Sequence, residues 1–152
     1  MIAVPAAVLA ETFTSLRGCG KGRRECVVYW LGPTHVLGAV DENVHPLHAA
    51  GRGGYEIDDR WLTAFWFDLA RRRRSVRVQV HTHPRAAFHS PTDDDWPLVH
   101  TPGFLSLVIP DFATGPIGLE GAFLAERVAR GWRAVPIPAH IQITESVAGA
   151  RP

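Results

Sequence analysis

The sequence has few cysteines, with only Cys19 and Cys26 among its 152 residues. Six residues separate the two, whereas zinc clips and redox pairs commonly use a Cys-x-x-Cys spacing. So low a cysteine content excludes a small scaffold that depends on several disulfides. We therefore expect two reduced thiols, with Cys26 buried in the core.

Long apolar runs are also missing, because no segment approaches the roughly 18 residues that a membrane span requires. The N-terminal region contains Glu11 and has no basic lead before its apolar part, so it is not typical of a signal peptide. These absences predict a cytoplasmic protein without a membrane partner.

An excess of charge of one sign is lacking as well. The formal net charge of +1 creates no overall field that would attract nucleic acid. The one basic run, Arg71 to Arg74, is interpreted as a solvated helix end, where cations complement the helix dipole. The charge pattern thus predicts no nucleic-acid partner.

What is present is the composition of one folded domain, with 46% hydrophobic and 20% charged residues. Apolar spacing predicts a helix over residues 5–17, and the run from Glu25 to Leu31 predicts a buried strand. Residues 35–45 could return beside that strand. The segment from Pro46 to Tyr55 is rich in His, Ala and Gly and is predicted to be a loop, with a possible flap over residues 50–54.

The second half of the chain alternates further strands with helix signals. Asp58 or Asp59 is predicted to cap a helix that ends in the arginine run, and a short helix is predicted to begin at Ser90. Strands are expected over 75–83, over 104–109 and within 120–145. The apolar face of the helix after Asp58 would consist of Leu62, Phe65, Trp66 and Leu69.

The strand over 75–83 carries the residues that suggest chemistry. Its alternation places Val76, Val78 and Val80 on one face and Arg77, Gln79, His81 and His83 on the other. Two imidazoles side by side could both bind one tetrahedral ion, and Asp93 follows at the start of the next helix. Two histidines and one carboxylate would leave a fourth position open, as in catalytic zinc sites. Taken alone, however, His-x-His is more typical of two surface histidines.

Those residues together resemble a family signature. His81-Thr82-His83, six residues beginning with Pro84, and then Ser90-x-x-Asp93 are similar to the motif of the JAMM (MPN+) metallopeptidases. The resemblance implies one Zn²⁺ per chain, with His81, His83 and Asp93 as its ligands. It also implies that Glu25 is the general acid and base and that Ser90 steadies the oxyanion.

The resemblance leaves several residues in competition. The loop between His83 and Ser90 is one residue shorter than the usual pattern, so His89 is a rival to Ser90 for contacting substrate. Asp94 or Asp95 could replace Asp93 if the helix frame slips. Glu42 and Glu56 compete with Glu25, whereas Glu11 is expected to face water. The remaining histidines, His35, His45, His48, His100 and His140, are interpreted as surface or structural residues, and the tryptophans as core or near-core, with Trp96 close enough to wall the site.

Other families with a His-x-His motif fit less well. Metallo-β-lactamase-like hydrolases have an aspartate where this chain has Arg85, and zinc deaminases require a Pro-Cys-x-x-Cys pair that this sequence lacks. The JAMM resemblance implies an α+β fold, in which helices flank a mixed, curved, cytidine-deaminase-like sheet. The domain would span residues 3–145, and residues 146–152 would form a flexible tail.

The resemblance also implies a substrate class. Stand-alone bacterial members resemble this chain in size and cleave the C-terminal tails or isopeptide linkages of ubiquitin-like proteins. Enzymes similar to ubiquitin-activating and ubiquitin-conjugating enzymes would then be partners encoded nearby. Two alternatives remain, a non-catalytic module that binds a ubiquitin-like partner and a hydrolase of small amides.

Overall fold

A computed structural model describes residues 1–50, 54–89 and 98–145. These residues form an α+β fold with two long helices and a mixed sheet, which confirms the predicted fold class. Two short 3-10 helices cover Asp111–Ala113 and Ile137–Ala139. The main elements in chain order are β1 (Ile2–Pro5), α1 (Ala6–Gly20), β2 (Val27–Pro33), β3 (Glu42–Val44), β4 (His48–Ala50), β5 (Tyr55–Ile57), α2 (Asp59–Arg72), β6 (Arg74–Thr82), β7 (Leu105–Ile109), β8 (Phe123–Val128), β9 (Gly131–Ala134) and β10 (Ile141–Thr144).

The central sheet has six strands in the order β3-β2-β6-β7-β8-β9. Strands β6 and β7 are parallel, and the other neighbouring pairs are antiparallel. A separate parallel pair joins β1 to β10, and β4 with β5 forms a two-stranded antiparallel hairpin. The predicted return of residues 35–45 beside the first strand is confirmed by β3.

Helix α1 covers one face of the sheet and fills the larger of two cores. Val8, Phe13 and Leu16 of the helix are buried in the same cluster as Trp30, Val78 and Leu107 of the strands. The indole N–H of Trp30 donates to the Thr12 hydroxyl over 2.7 Å, so this buried polar group is satisfied. The helix ends at Gly20, and Lys21 follows in the left-handed conformation of a C-cap.

Helix α2 covers part of the opposite face and forms the second core. Asp58 caps the helix by accepting a hydrogen bond from the Trp61 N–H over 2.8 Å, as predicted. Phe65 and Leu69 are buried against Tyr29 of β2, and Trp61 packs on them. The prediction that Trp66 belongs to the apolar face is wrong, because this side chain is 39% exposed.

A β-bulge divides the strand that carries the histidines. Trp30 pairs with Val78, but its neighbour Leu31 pairs with Val76, so Arg77 is an extra residue on β6. Val76 therefore packs in the α2 core, whereas Val78 lies in the α1 core. The predicted alternation holds from Val78 onward and is wrong for Val76.

Two further expectations are corrected. The segment from Pro46 to Tyr55 is not simply a loop, because His48–Ala50 and Tyr55–Ile57 pair as β4 and β5. Cys26 is fully buried as expected, but it is joined to Cys19 by a disulfide rather than carrying a free thiol. The end of α1 and the start of β2 approach there, with the two Cα atoms 6.2 Å apart.

Some predictions fall outside the described residues. These are the helix start at Ser90, Gly51 and Gly53 of the predicted flap, and the tail at 146–152. Among the helices that the structure describes, none is long and apolar enough to cross a membrane.

Candidate metal centre

His81 lies near the end of β6, in the middle of the sheet. Its backbone pairs with Val27 of β2 on one side and with Val108 of β7 on the other. Its side chain is fully buried. Because the strand is held by two neighbours, the direction of this imidazole is fixed by the sheet rather than by a loop.

His83 follows one residue beyond the strand and is held by its own backbone. Its N–H donates to the Ile109 carbonyl over 2.9 Å, and its carbonyl accepts from the Phe112 N–H over 2.8 Å. Phe112 belongs to a short turn, Asp111–Ala113, in which three consecutive non-glycine residues have positive φ. Such backbone is costly for L-residues, and here it fastens the end of β7 to His83.

The two imidazoles lie side by side, as the predicted alternation requires. Their ring centroids are 5.3 Å apart, and only 3% of the His83 surface is exposed. Neutral imidazole is a preferred ligand of zinc and related transition metals. The spacing and the donor chemistry of His81 and His83 thus fit one shared metal ion.

Glu25 lies across from the histidines, two residues before β2. The antiparallel pairing of Val27 with His81, continued by two residues, places Glu25 opposite His83 on the same face. The Thr82 N–H donates to the Cys26 carbonyl over 3.0 Å, so the pairing does continue beyond the regular strand. Glu25 is only 7% exposed, which is unusual for a carboxylate without a specific role or partner.

The competing glutamates lie elsewhere. Glu42 is opposite Leu31, at the far end of β2, and forms an ion pair with Arg72 at 3.2 Å. Glu56 is exposed on β5, where alternation turns it away from the face that carries Tyr55. Glu11 is exposed on α1, as expected. Of the four, Glu25 is the glutamate that shares a sheet face with the histidines.

Ser90 and Asp93 lie outside the described residues, as do the rival residues Asp94 and Asp95 and the wall residue Trp96. The chain leaves the described part at His89, whose ring centroid is 6.3 Å from that of His81. Its Nε2 lies 3.3 Å from the hydroxyl oxygen of the buried Ser106. The roles of Ser90 and Asp93 stay predictions, and so does the rival role of His89.

Aromatic and polar side chains that sequence reasoning did not identify surround the histidines. The Tyr55 ring lies 5.8 Å from His81, and its hydroxyl accepts a hydrogen bond from Gln79 over 2.7 Å. Phe88 contacts His83 edge to face at 4.5 Å, and Trp132 lies 4.6 Å from His89. No local pattern indicates these contacts, because β5, the 83–89 loop and β9 converge only in the folded chain.

A second cluster of possible ligands lies beside the first. The ligand atoms of Cys19, Cys26, His45 and His48 all lie within 4.8 Å of one another. Burial, and then the neighbouring His48, lower the pKa of His45 below its ordinary value. Sequence reasoning missed this cluster because it treated the cysteines and these histidines separately. The Cys-x₆-Cys and His-x₂-His spacings were the available signal.

The Tyr55 ring separates the two clusters. Its centroid is 6.2 Å from that of His48 on one side and 5.8 Å from that of His81 on the other. Below it, the Thr82 hydroxyl accepts a hydrogen bond from the Cys26 N–H over 2.9 Å. Thr82 stands between His81 and His83 in the chain, so one peptide segment contacts both clusters.

Comparisons with known proteins agree with this architecture. The chain is 29% identical over 146 residues to the probable metalloprotease y4jG of Sinorhizobium fredii, covering 89% of this chain and 87% of that protein. Its fold is similar to the solution structure of protein DSY2949 from Desulfitobacterium hafniense, with a TM-score of 0.69 and 15% identity over 97% of this chain and 96% of that one.

A second solved structure with a similar fold is that of a JAB1/MPN domain protein. The crystal structure of AF2198, a JAB1/MPN domain protein from Archaeoglobus fulgidus, matches with a TM-score of 0.50 and 11% identity. The match covers 96% of this chain and 97% of that one. At such low identity the two structures show a shared fold, and no protein-family profile matches the chain.

Proposed function

We propose that this chain, a member of the JAMM/MPN family, is a zinc-dependent peptidase that cleaves the C-terminal tail or an isopeptide linkage of a ubiquitin-like protein. The observation that carries the proposal is the buried pair His81 and His83, with rings 5.3 Å apart and Glu25 on the same face. A structural role alone would not require two histidines and a glutamate to be buried together.

His81, His83 and Asp93 would hold the ion. When bound, zinc supplies a Lewis acid and lowers the pKa of a coordinated water to about 7. The sheet presents the two imidazoles in a fixed direction, because His81 is paired on both sides and His83 is fastened to Ile109 and Phe112. Such preorganisation keeps ligand geometry constant during the reaction.

Glu25 moves the protons in this proposal. Its carboxylate accepts a proton from the attacking water, and the resulting carboxylic acid gives it to the leaving amine. Its small exposure and its position opposite His83 favour this role, because a proton carrier must lie beside the reacting water rather than in bulk solvent. Ser90 would donate a hydrogen bond to the oxygen of the tetrahedral carbon.

Substrate recognition is assigned to the surface around the two histidines. Phe88 is 53% exposed while its ring contacts His83, so it can cover an extended peptide near the scissile bond. The β4–β5 hairpin flanks the site through Tyr55. A narrow, glycine-rich tail is the occupant that we assign to this surface. A cytoplasmic location, beside enzymes that attach such tails, completes the proposal.

The test uses a ubiquitin-like protein with a diglycine tail fused to a short reporter, incubated with zinc-loaded protein. Glu25→Gln should lower the rate of cleavage by about 10²- to 10⁴-fold, the usual contribution of a general base. Glu11→Gln is the matched control, because Glu11 is exposed on α1. Mass spectrometry locates the cut, and metal analysis confirms that the variant keeps its zinc.

The outcomes separate the alternatives. If Glu25→Gln cleaves as fast as the unaltered protein while holding zinc, the proposed mechanism is wrong. Cleavage of a small amide without cleavage of the fusion would identify a small-molecule hydrolase. Binding of the fusion without any cleavage would identify a non-catalytic module.

A further inference from the structure

Two cysteines and two histidines converge where the end of α1, the start of β2 and the start of the β4–β5 hairpin meet. Cys19 lies in the last turn of α1, and Cys26 directly precedes β2. His45 follows β3, and His48 begins β4. Residues from four places in the chain thus point their ligand atoms at one small volume.

We infer that the reduced protein binds a second zinc ion through Cys19, Cys26, His45 and His48. Two thiolates and two imidazoles are a complete ligand set for a tetrahedral, structural zinc site. The site is separate from His81 and His83, and it requires nothing of the proposed peptidase activity.

The distances between donor atoms support the assignment. The Cys19 sulfur lies 3.2 Å from His48 Nε2, and the Cys26 sulfur lies 3.3 Å from His45 Nε2 and 3.6 Å from His48 Nε2. Tetrahedral zinc with ordinary bond lengths places sulfur and nitrogen ligands about 3.5 Å apart. His48 Nε2 therefore already stands at ligand distance from both sulfurs, and His45 Nε2 from the Cys26 sulfur.

The tautomer of His48 is fixed by its other nitrogen. His48 Nδ1 lies 2.8 Å from the Pro46 carbonyl oxygen, which can only accept a hydrogen bond. Nδ1 must carry the hydrogen, so Nε2 of the neutral ring directs a lone pair toward the sulfurs. Metal-bound histidines are oriented by this kind of contact, commonly with a backbone carbonyl. A disulfide sulfur has no hydrogen to donate to the Nε2 lone pair, whereas a zinc ion between Nε2 and the sulfurs would accept that lone pair.

The disulfide between Cys19 and Cys26 is the oxidised, metal-free form of the same site. A thiol reductant breaks the S–S bond, supplies two electrons and two protons, and becomes a disulfide itself. The two protein thiols then lose their protons to solvent as zinc binds, because thiolate is the ligand. With Cα atoms 6.2 Å apart, side-chain rotation can bring the sulfurs to the separation of about 3.8 Å that tetrahedral zinc requires.

The ion would fasten the hairpin to the sheet next to the histidine strand. The Cys26 N–H and carbonyl bond to Thr82, and Cys26 is joined directly to Glu25. His48 begins the hairpin that carries Tyr55. Zinc at the second site would therefore order both the peptide that bears Glu25 and the hairpin over the active face.

Cobalt(II) reports the second site without any measurement of activity. The full chain is stripped of metal, reduced with a phosphine and titrated with Co²⁺, with the oxidised protein titrated in parallel. We expect a thiolate-to-cobalt charge-transfer absorption in the reduced protein only, complete within two added equivalents because the site at His81 and His83 also takes up Co²⁺. Zinc analysis should likewise show one more ion per chain in the reduced protein than in the oxidised protein.

Variants assign the ligands. The double variant His45→Ala, His48→Ala should lower the affinity for Co²⁺, measured from the thiolate–cobalt band. We expect a loss larger than the roughly 10- to 100-fold seen when only an outer partner of a ligand is removed. His35→Ala is the matched control, because His35 is an exposed histidine on a surface turn. His81→Ala with His83→Ala should leave the band in place, since that site contains no sulfur. Failure of the peptidase proposal is thereby distinguishable from failure of this one.

A measurement on the unaltered protein covers the case in which a variant does not fold. Zinc should slow alkylation of Cys19 and Cys26 by iodoacetamide in the reduced chain, because a bound thiolate is a poor nucleophile. Equal alkylation rates with and without zinc, together with no thiolate–cobalt band, would overturn the proposal and leave a structural disulfide only. A band of unchanged affinity in the His45/His48 double variant would overturn the four-ligand site.

Discussion

The two histidine pairs of this protein differ in what holds them. His81 and His83 are buried, and backbone hydrogen bonds from several strands fix them in the middle of the sheet. His45 is exposed and His48 half-buried, and they lie around the start of a two-stranded hairpin. The first pair is rigid because of the sheet. The second pair lies at the edge of the fold and would be held by the proposed zinc ion.

The donors beside each pair differ as well. The sheet pair has Glu25 on its face, and in the JAMM motif it is completed by an aspartate, which leaves a position for water. The hairpin pair has two sulfurs at ligand distance, which leaves no position open. Under the two proposals, an open metal site for chemistry would lie beside a closed metal site for structure in one small domain.

The largest effect is expected from breaking the sheet pair. His81→Ala removes a proposed metal ligand whose backbone is paired on both sides, so cleavage of the tailed fusion should fall by roughly 10³-fold or more. Steady-state kinetics with His35→Ala as control measures this. Residual activity close to that of the control would mean that His81 is not a ligand of the catalytic metal.

A smaller effect is expected from removing the Thr82 hydroxyl, which contacts the Cys26 backbone between the two histidine pairs. In Thr82→Val the buried Cys26 N–H loses its acceptor, at a cost of about 1–3 kcal/mol in the free energy of unfolding. Thr82→Ser keeps the hydroxyl and should retain most of the stability. Urea unfolding compares the two variants, and a Thr82→Val protein that is as stable as the unaltered protein, or more stable than Thr82→Ser, would contradict the role of the hydrogen bond.

The aromatic contact between the pairs should matter less. Tyr55→Phe leaves the ring between His48 and His81 but removes the acceptor of the Gln79 amide. Because Tyr55 is only half-buried and water can reach the vacated position, we expect a loss of about 1 kcal/mol. Amide exchange of the β4–β5 hairpin should speed up while that of β6 does not. Uniform acceleration of both would contradict a local role.

The smallest effect provides a baseline away from both pairs. Hydrogen bonds from Arg71 and then Arg72 hold the pKa of Asp68 below its ordinary value. A depressed carboxyl pKa stabilises the fold above the unfolded pKa of about 3.9, and the stabilisation is lost as the pH falls through the folded pKa. Asp68→Asn should therefore lower the Tm slightly at neutral pH, and the difference should close in acid. Thermal unfolding at several pH values tests this, and a difference that persists in acid would contradict it.

Much of the sheet pair could be predicted from the sequence. Alternation along a strand is a local property, so the shared face of His81 and His83 followed from their spacing. The capping of α2 by Asp58 was equally local. The position of Glu25 was predicted only by resemblance, and the antiparallel register of β2 with β6 supplies its geometric support.

The hairpin pair could not be predicted in the same way. Its four ligands come from the ends of separate elements, and their convergence depends on how α1, β2 and the hairpin pack. The segment from Pro46 to Tyr55 contains short strands and several small residues, so propensity alone indicates a loop. Contacts between elements decided the outcome there, and a single sequence carries little record of them.

The bulge at Arg77 divides β6 into two segments whose side chains alternate in opposite phase. Because Arg77 has no partner residue on β2, losing it would leave Val76 and Val78 on the faces they now occupy. A residue lost between Val78 and His81 would instead turn His81 toward the Trp30 side, away from Glu25. On the N-terminal side of His81, the loss of one residue from β6 therefore keeps the metal centre intact only when the lost residue is the bulged Arg77.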